Sequence, residues 1–139
     1  MVIILMSAMY LCFMVSFSID CEYPHNLKKD CNFTRWLDMK VFTYNHMLKP
    51  TDPEGLFSTL SALLTAYGGY YFCLVMREHK NNRKLMYRDW SIIITFCGLC
   101  SGLFYVVMPY NKKLWSTSFA LLTITISGFF LTLMIIFID

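Results

Sequence analysis

Residues 114–138, LWSTSFALLTITISGFFLTLMIIFI, run for 25 positions without an aspartate, glutamate, lysine, arginine or histidine. At about 1.5 Å of rise per residue, a helix over this stretch exceeds the roughly 30 Å of a hydrocarbon core. No water solvates a backbone inside that core, so the chain must pair its own amides and carbonyls, and a helix does so within one segment. Three further stretches, 1–19, 55–76 and 90–110, are equally free of ionisable Asp, Glu, Lys, Arg and His. Composition agrees: 15% of the chain is charged and 57% hydrophobic, where soluble domains carry about a quarter charged residues. The expectation is an all-α polytopic membrane protein forming one domain over 1–139, with four transmembrane helices near 2–19, 55–76, 90–109 and 115–138.

The first stretch has no basic residue before its apolar run and no clean small-residue cleavage site before Asp20, so it reads as a span and not as a cleaved signal. A chain that starts inside a helix also suggests a piece of something longer. Between the spans lie a long polar loop at 20–54 and a basic loop at 77–89. The basic loop carries five cations in thirteen residues, Arg77, Lys80, Arg83, Lys84 and Arg88, which marks it as cytosolic. The long loop has five basic and six acidic residues over 35 positions. It also holds Asn32-Phe33-Thr34, an N-glycosylation sequon usable only on the lumenal side. Cys21 and Cys31 stand ten positions apart in the same loop, a spacing suited to a disulfide in an oxidising compartment. The long loop is therefore expected in the lumen and both termini in the cytosol.

Ion pathways and proton relays need ionisable groups inside the membrane, and the four stretches contain none. A self-sufficient ion channel or proton-coupled transporter is excluded on that ground, and nothing in the pattern points to nucleic acid. Cys97-Gly98-Leu99-Cys100 matches a C-x-x-C string, but no histidine or carboxylate shares its span. It reads as apolar packing, with no metal site. Gly98 and Gly102 form a G-x-x-x-G, and Ser58, Ala62, Ala66, Gly69 and Cys73 form a small-residue stripe at helical spacing. Both are expected at helix–helix contacts, with other transmembrane helices or a second copy as partners alongside the lipid bilayer.

Two strings stand at the lumenal ends of spans. Asp52-Pro53-Glu54-Gly55 opens the second: aspartate suits a helix cap, proline the first turn, and glutamate the positive end of the helix dipole. Asn111-Lys112-Lys113-Leu114-Trp115-Ser116 opens the fourth, with lysines able to snorkel and a tryptophan at interfacial depth. Each has an ordinary structural reading. Together they bring two positive helix ends, two acids and two lysines to one mouth, which suits a polar or ionic ligand.

The order of sequon, D-P-E-G, small-residue span, basic loop and N-K-x-L-W-S resembles the heparan-α-glucosaminide N-acetyltransferase family of multi-span lysosomal enzymes. The matching residues are Asn32-Phe33-Thr34, Asp52-Pro53-Glu54-Gly55, and Asn111-Lys112 with Leu114-Trp115-Ser116 and Ser118. The resemblance extends over nearly the whole chain and corresponds to a middle-to-late part of the family's membrane domain. It implies transfer of an acetyl group from cytosolic acetyl-CoA, as co-substrate, to the terminal glucosamine of heparan sulfate in the lumen. It also implies a lysosomal or other endomembrane location, with the plasma membrane as the alternative. Asp52, Glu54, Gly55, Asn111, Lys112, Trp115 and Ser116 are then the expected substrate-binding residues. The family's catalytic histidine falls in an earlier segment, so no catalytic residue carries over to His25, His46 or His79. A fragment, truncated form or subunit, inactive alone, is the expectation. The alternative is a non-catalytic four-span accessory or scaffold subunit of a membrane complex.

Overall fold

The computed structural model describes residues 2–16, 32–42, 55–112 and 114–138. These form five helices: α1 (Val2–Ser16), α2 (Phe33–Phe42), α3 (Leu56–Glu78), α4 (Arg83–Val107) and α5 (Thr117–Ile138). No strand occurs among the described residues. Three of the helices, α3, α4 and α5, are long and apolar enough to cross a membrane. At fifteen residues, α1 covers about 22 Å, short of a full hydrocarbon core. Positions 17–19 of the expected first span lie outside the described residues, and among the described residues three helices are long and apolar enough to cross a membrane.

Two boundaries differ from the sequence reading. The expected basic loop at 77–89 shrinks to a turn at 79–82, because α4 begins at Arg83 and not near 90. Exposed lysines and arginines are good helix formers, so charge marks where a span leaves lipid and not where its helix stops. Asn82 starts α4 by accepting the Leu85 amide on its side chain at 3.3 Å. His79 Nε2 lies 3.0 Å from Asp89 Oδ2 and ties the end of α3 to the second turn of α4. The second difference is α2, a ten-residue helix inside the segment read as a loop. Asn32 of the sequon is its cap, its side-chain oxygen accepting the Arg35 amide at 2.9 Å.

α4 stops at Met108, whose extended backbone (φ −137°, ψ 100°) is the conformation that the following Pro109 imposes. Consecutive spans alternate in direction, so α3 and α5 run parallel. Their contacts keep a constant offset: a Cβ on Gly68 would meet Ile124, and one on Gly128 would meet Phe72. The core between α3, α4 and α5 holds Leu64, Phe72, Val75, Met86, Trp90, Cys97, Ala120, Leu121 and Ile124. Trp90 is completely buried, stacks edge-on to Phe72 at 5.6 Å, and donates its indole N–H to the Phe72 carbonyl at 3.3 Å. Cys97 fills part of this core, the apolar role expected for it.

The small-residue motifs lie only partly within the bundle. α3 buries Ser58, Ser61, Leu64, Gly68, Phe72 and Val75, while Ala66, Gly69 and Cys73 of the stripe are exposed. Gly98 touches Thr125 of α5, but Gly102 faces open space. The inner face of α3 mixes small residues, Ser58, Ser61 and Gly68, with Leu64, Phe72 and Val75.

Neighbouring glycines on α3 test this facing. A Cβ on Gly68 would stand 2.8 Å from Ile124 Cγ1, and one on Gly69 would meet nothing within 4 Å. Gly69→Ala gains about 0.5–1 kcal/mol from helix propensity alone. Gly68→Ala ends about 1–3 kcal/mol below it through overpacking. Thermal unfolding of both variants in detergent measures the gap. Equal melting temperatures would put the contact face elsewhere.

Candidate functional site

The apolar rods bury their polar side chains at one end only. Among the described residues the buried polar or charged ones are Thr34, Asp38, Ser58, Ser61, Ser101, Ser116, Thr117 and Ser118. They gather where α3 and α5 begin and α4 ends, beside α2. A helix N-terminus has free amides, and leaving them unpaired in an apolar surrounding is costly. This end of the bundle is where that need is met.

α3 begins at Gly55, which has no side chain to cap with. Asp38 of α2 supplies the cap from a distance of 18 residues, its Oδ1 accepting the Leu56 amide at 2.9 Å. Asp38 is 1% exposed, and the glycine makes the approach possible. A Cβ at position 55 would fall inside the Asp38 carboxylate, 2.7 Å from its Cγ. Nearby, Ser58 donates to the Gly55 carbonyl at 2.7 Å.

α5 caps itself. Ser116 Oγ accepts the Phe119 amide at 3.3 Å and the Asn111 amide at 3.1 Å. Ser118 donates to the Met108 carbonyl at 2.6 Å, so at the 3.1 Å contact between the two hydroxyls Ser116 is the donor. Ser101 of α4 donates to the Ser118 carbonyl at 2.9 Å. The turn is closed by the Ser116 amide on the Asn111 carbonyl at 3.1 Å and by the Leu114 amide on Asn111 Oδ1 at 3.4 Å. Trp115 sits in it at φ 48°, a left-handed conformation that is strained for a bulky residue. Its indole N–H reaches Thr65 of α3 at 3.3 Å, and its ring lies edge-on to Phe119 at 5.4 Å.

Tyr10 links the two helix starts. It is 1% exposed and donates its hydroxyl to the Leu114 carbonyl at 2.6 Å, while Thr34 and Asp38 of α2 lie within electrostatic reach of the same hydroxyl. Around it Tyr10, Met14, Phe33, Met108 and Leu114 form a second apolar cluster. Phe57 stacks on Tyr10 at 5.1 Å and meets Phe33 edge-on at 5.1 Å. Two hydroxyls at this end have no hydrogen-bond partner among the described residues: Ser61 Oγ and Thr117 Oγ1, on residues 3% and 0% exposed. The offset that pairs Gly68 with Ile124 and Phe72 with Gly128 sets Ser61 level with Thr117.

Of the expected binding residues, Gly55, Asn111, Lys112, Trp115 and Ser116 are described, and all five lie just ahead of α3 or α5 at this one end. Ser116 is committed to the turn, Asn111 closes it, and Lys112 is exposed. Asp52, Glu54 and the expected Cys21–Cys31 disulfide lie outside the described residues. Sequence reasoning missed Tyr10, Asp38, Ser61 and Thr117. The run Ser116-Thr117-Ser118 was a visible signal, as was an aspartate in the amphipathic FTRWLDMKVF. Compared with protein-family models, curated proteins and solved structures, the chain matches none.

The Asp38–Gly55 fit is testable by a double-mutant cycle. Gly55→Ala alone costs about 1–3 kcal/mol of stability through overpacking, and Asp38→Ala alone about 0.5–2 kcal/mol through the lost cap. Removing the carboxylate also removes the clash, so the double variant is less damaged than the sum by about 0.5–3 kcal/mol. Strict additivity in thermal denaturation would show that the two residues do not meet.

Proposed function

We propose that the chain is the acceptor-side portion of a transmembrane N-acetyltransferase of the heparan-α-glucosaminide type, in which acetyl-CoA approaches from the cytosolic face. The observation that supports the reading is the convergence of Gly55 and the Asn111–Ser116 turn, two separate strings of the resemblance, on one polar end of an apolar bundle. Two buried hydroxyls without partners among the described residues, Ser61 and Thr117, are what a hydrogen-bonding ligand such as an amino sugar would use, since unpaired buried polar groups cost about 1–3 kcal/mol each. The strained Trp115 fits the same reading, because strain is retained where a site requires it. In this account the polar end faces the lumen, Asn32 carries a glycan, and the basic turn faces the cytosol. Glu54 or Asp52 attracts the protonated glucosamine, and Lys112 an acidic sugar group.

A second reading is a non-catalytic accessory subunit. The exposed small-residue face Ala66, Gly69 and Cys73 favours it, since such a face lets another transmembrane helix approach closely.

Glu54→Gln separates the two in membranes where the chain supports acetyl transfer to glucosamine. A substrate-binding glutamate makes the change cost about 2–5 kcal/mol in kcat/KM. The transferase reading predicts that loss with an unaltered melting temperature. A cost of about 0.3–1 kcal/mol confined to stability, with normal turnover, would leave Glu54 as the start of a helix and remove the site assignment.

A further inference from the structure

The opposite end of the bundle has a different chemistry. Where α3 passes into α4, an open cleft of about 290 Å³ is lined by Met76, Arg77, Lys80, Arg83 and Met86. All three cations are exposed at its rim, and Met86, 1% exposed, forms its floor. Arg83 is the first residue of α4, so the positive end of a 25-residue helix points at the same place. The cleft sits at the ends of two helices long and apolar enough to cross a membrane, where a bilayer around them would bring its headgroups.

We infer that this cleft binds a phosphate group, held by Arg77, Lys80 and Arg83 and supplied by the headgroup of an anionic phospholipid. Three cations from the end of α3, the turn and the start of α4 line one concave site, and a phosphate oxygen fan accepts several N–H donors at once. The thioether floor distinguishes the source: Met76 and Met86 offer apolar contact to the glycerol and first acyl carbons of a lipid, which a free phosphate lacks. The assignment does not depend on the transferase reading. His79 and Arg88 nearby are both bonded to Asp89, which fixes the turn's shape.

The test uses the full chain in nanodiscs of phosphatidylcholine containing phosphatidic acid, with retained lipid read by native mass spectrometry. The wild type retains phosphatidic acid over phosphatidylcholine. A direct contact between a cation and a phosphate is worth about tenfold or more, so Lys80→Gln weakens the preference by at least about tenfold. Lys84→Gln, next to Arg83 but not lining the cleft, removes only the diffuse attraction of a surface cation, about fivefold at most. The triple change Arg77→Gln, Lys80→Gln and Arg83→Gln abolishes the preference while the helical circular dichroism stays the same. Inorganic phosphate in the aqueous phase does not displace the lipid. If it displaces the lipid completely, with the same dependence on the three residues, the phosphate site stands and its ligand comes from solution. Equal losses from Lys80→Gln and Lys84→Gln, or a preference that survives the triple change, would reduce the cleft to diffuse surface charge and overturn the inference.

Discussion

A helix that enters an apolar medium must have its first amides paired before it gets there, and the polar half of this molecule follows from that constraint. α5 meets it locally, through Ser116 at its cap and the bond from Ser116 to Ser118. α3 cannot, because Gly55 offers no side chain, and it borrows the carboxylate of Asp38. Borrowing has consequences. It requires α2 to lie across the start of α3, a glycine where any Cβ would collide, and a buried carboxylate. Aromatic contacts among Tyr10, Phe33 and Phe57 seat α2 and α1 beside it. Tyr10 then joins the assembly to the α4–α5 turn through the Leu114 carbonyl.

The two ends of the bundle are thereby chemically unlike. One has hydroxyls and a carboxylate turned inward, with two helix dipoles aimed at it. The other has cations turned outward around a shallow cleft, with the start of α4 among them. An apolar shaft without Asp, Glu, Lys, Arg or His separates the two.

The membrane-crossing helices were legible because charge-free runs of that length leave the backbone no other solution. Their facing was not. Ser58, Ala62, Ala66, Gly69 and Cys73 make as regular a stripe as Ser58, Ser61, Leu64, Gly68, Phe72 and Val75, and hydropathy does not rank two apolar faces. Gly68 and Gly69 differ only in whether Ile124 is opposite. The N-K-x-L-W-S string was legible as a helix start, and of D-P-E-G only Gly55 is described, standing as the N-cap of α3 with Asp38 accepting the Leu56 amide. The partner that caps α3 was hidden because Asp38 lies in a segment balanced in charge, where a short amphipathic helix and a polar loop look alike. Ser61 and Thr117 were hidden too, since a hydroxyl in a span is ordinarily bonded to its own helix.

The central claim is that α3 and α5 begin side by side, in parallel, at the polar end. Disulfide trapping tests it most directly. In a background with all six native cysteines replaced, the pair Ser61→Cys and Thr117→Cys should cross-link rapidly under mild oxidation. The pair Ser61→Cys and Met134→Cys, at opposite ends of the bundle, should not. A cross-link from the second pair and none from the first would contradict the shared polar end on which the rest depends.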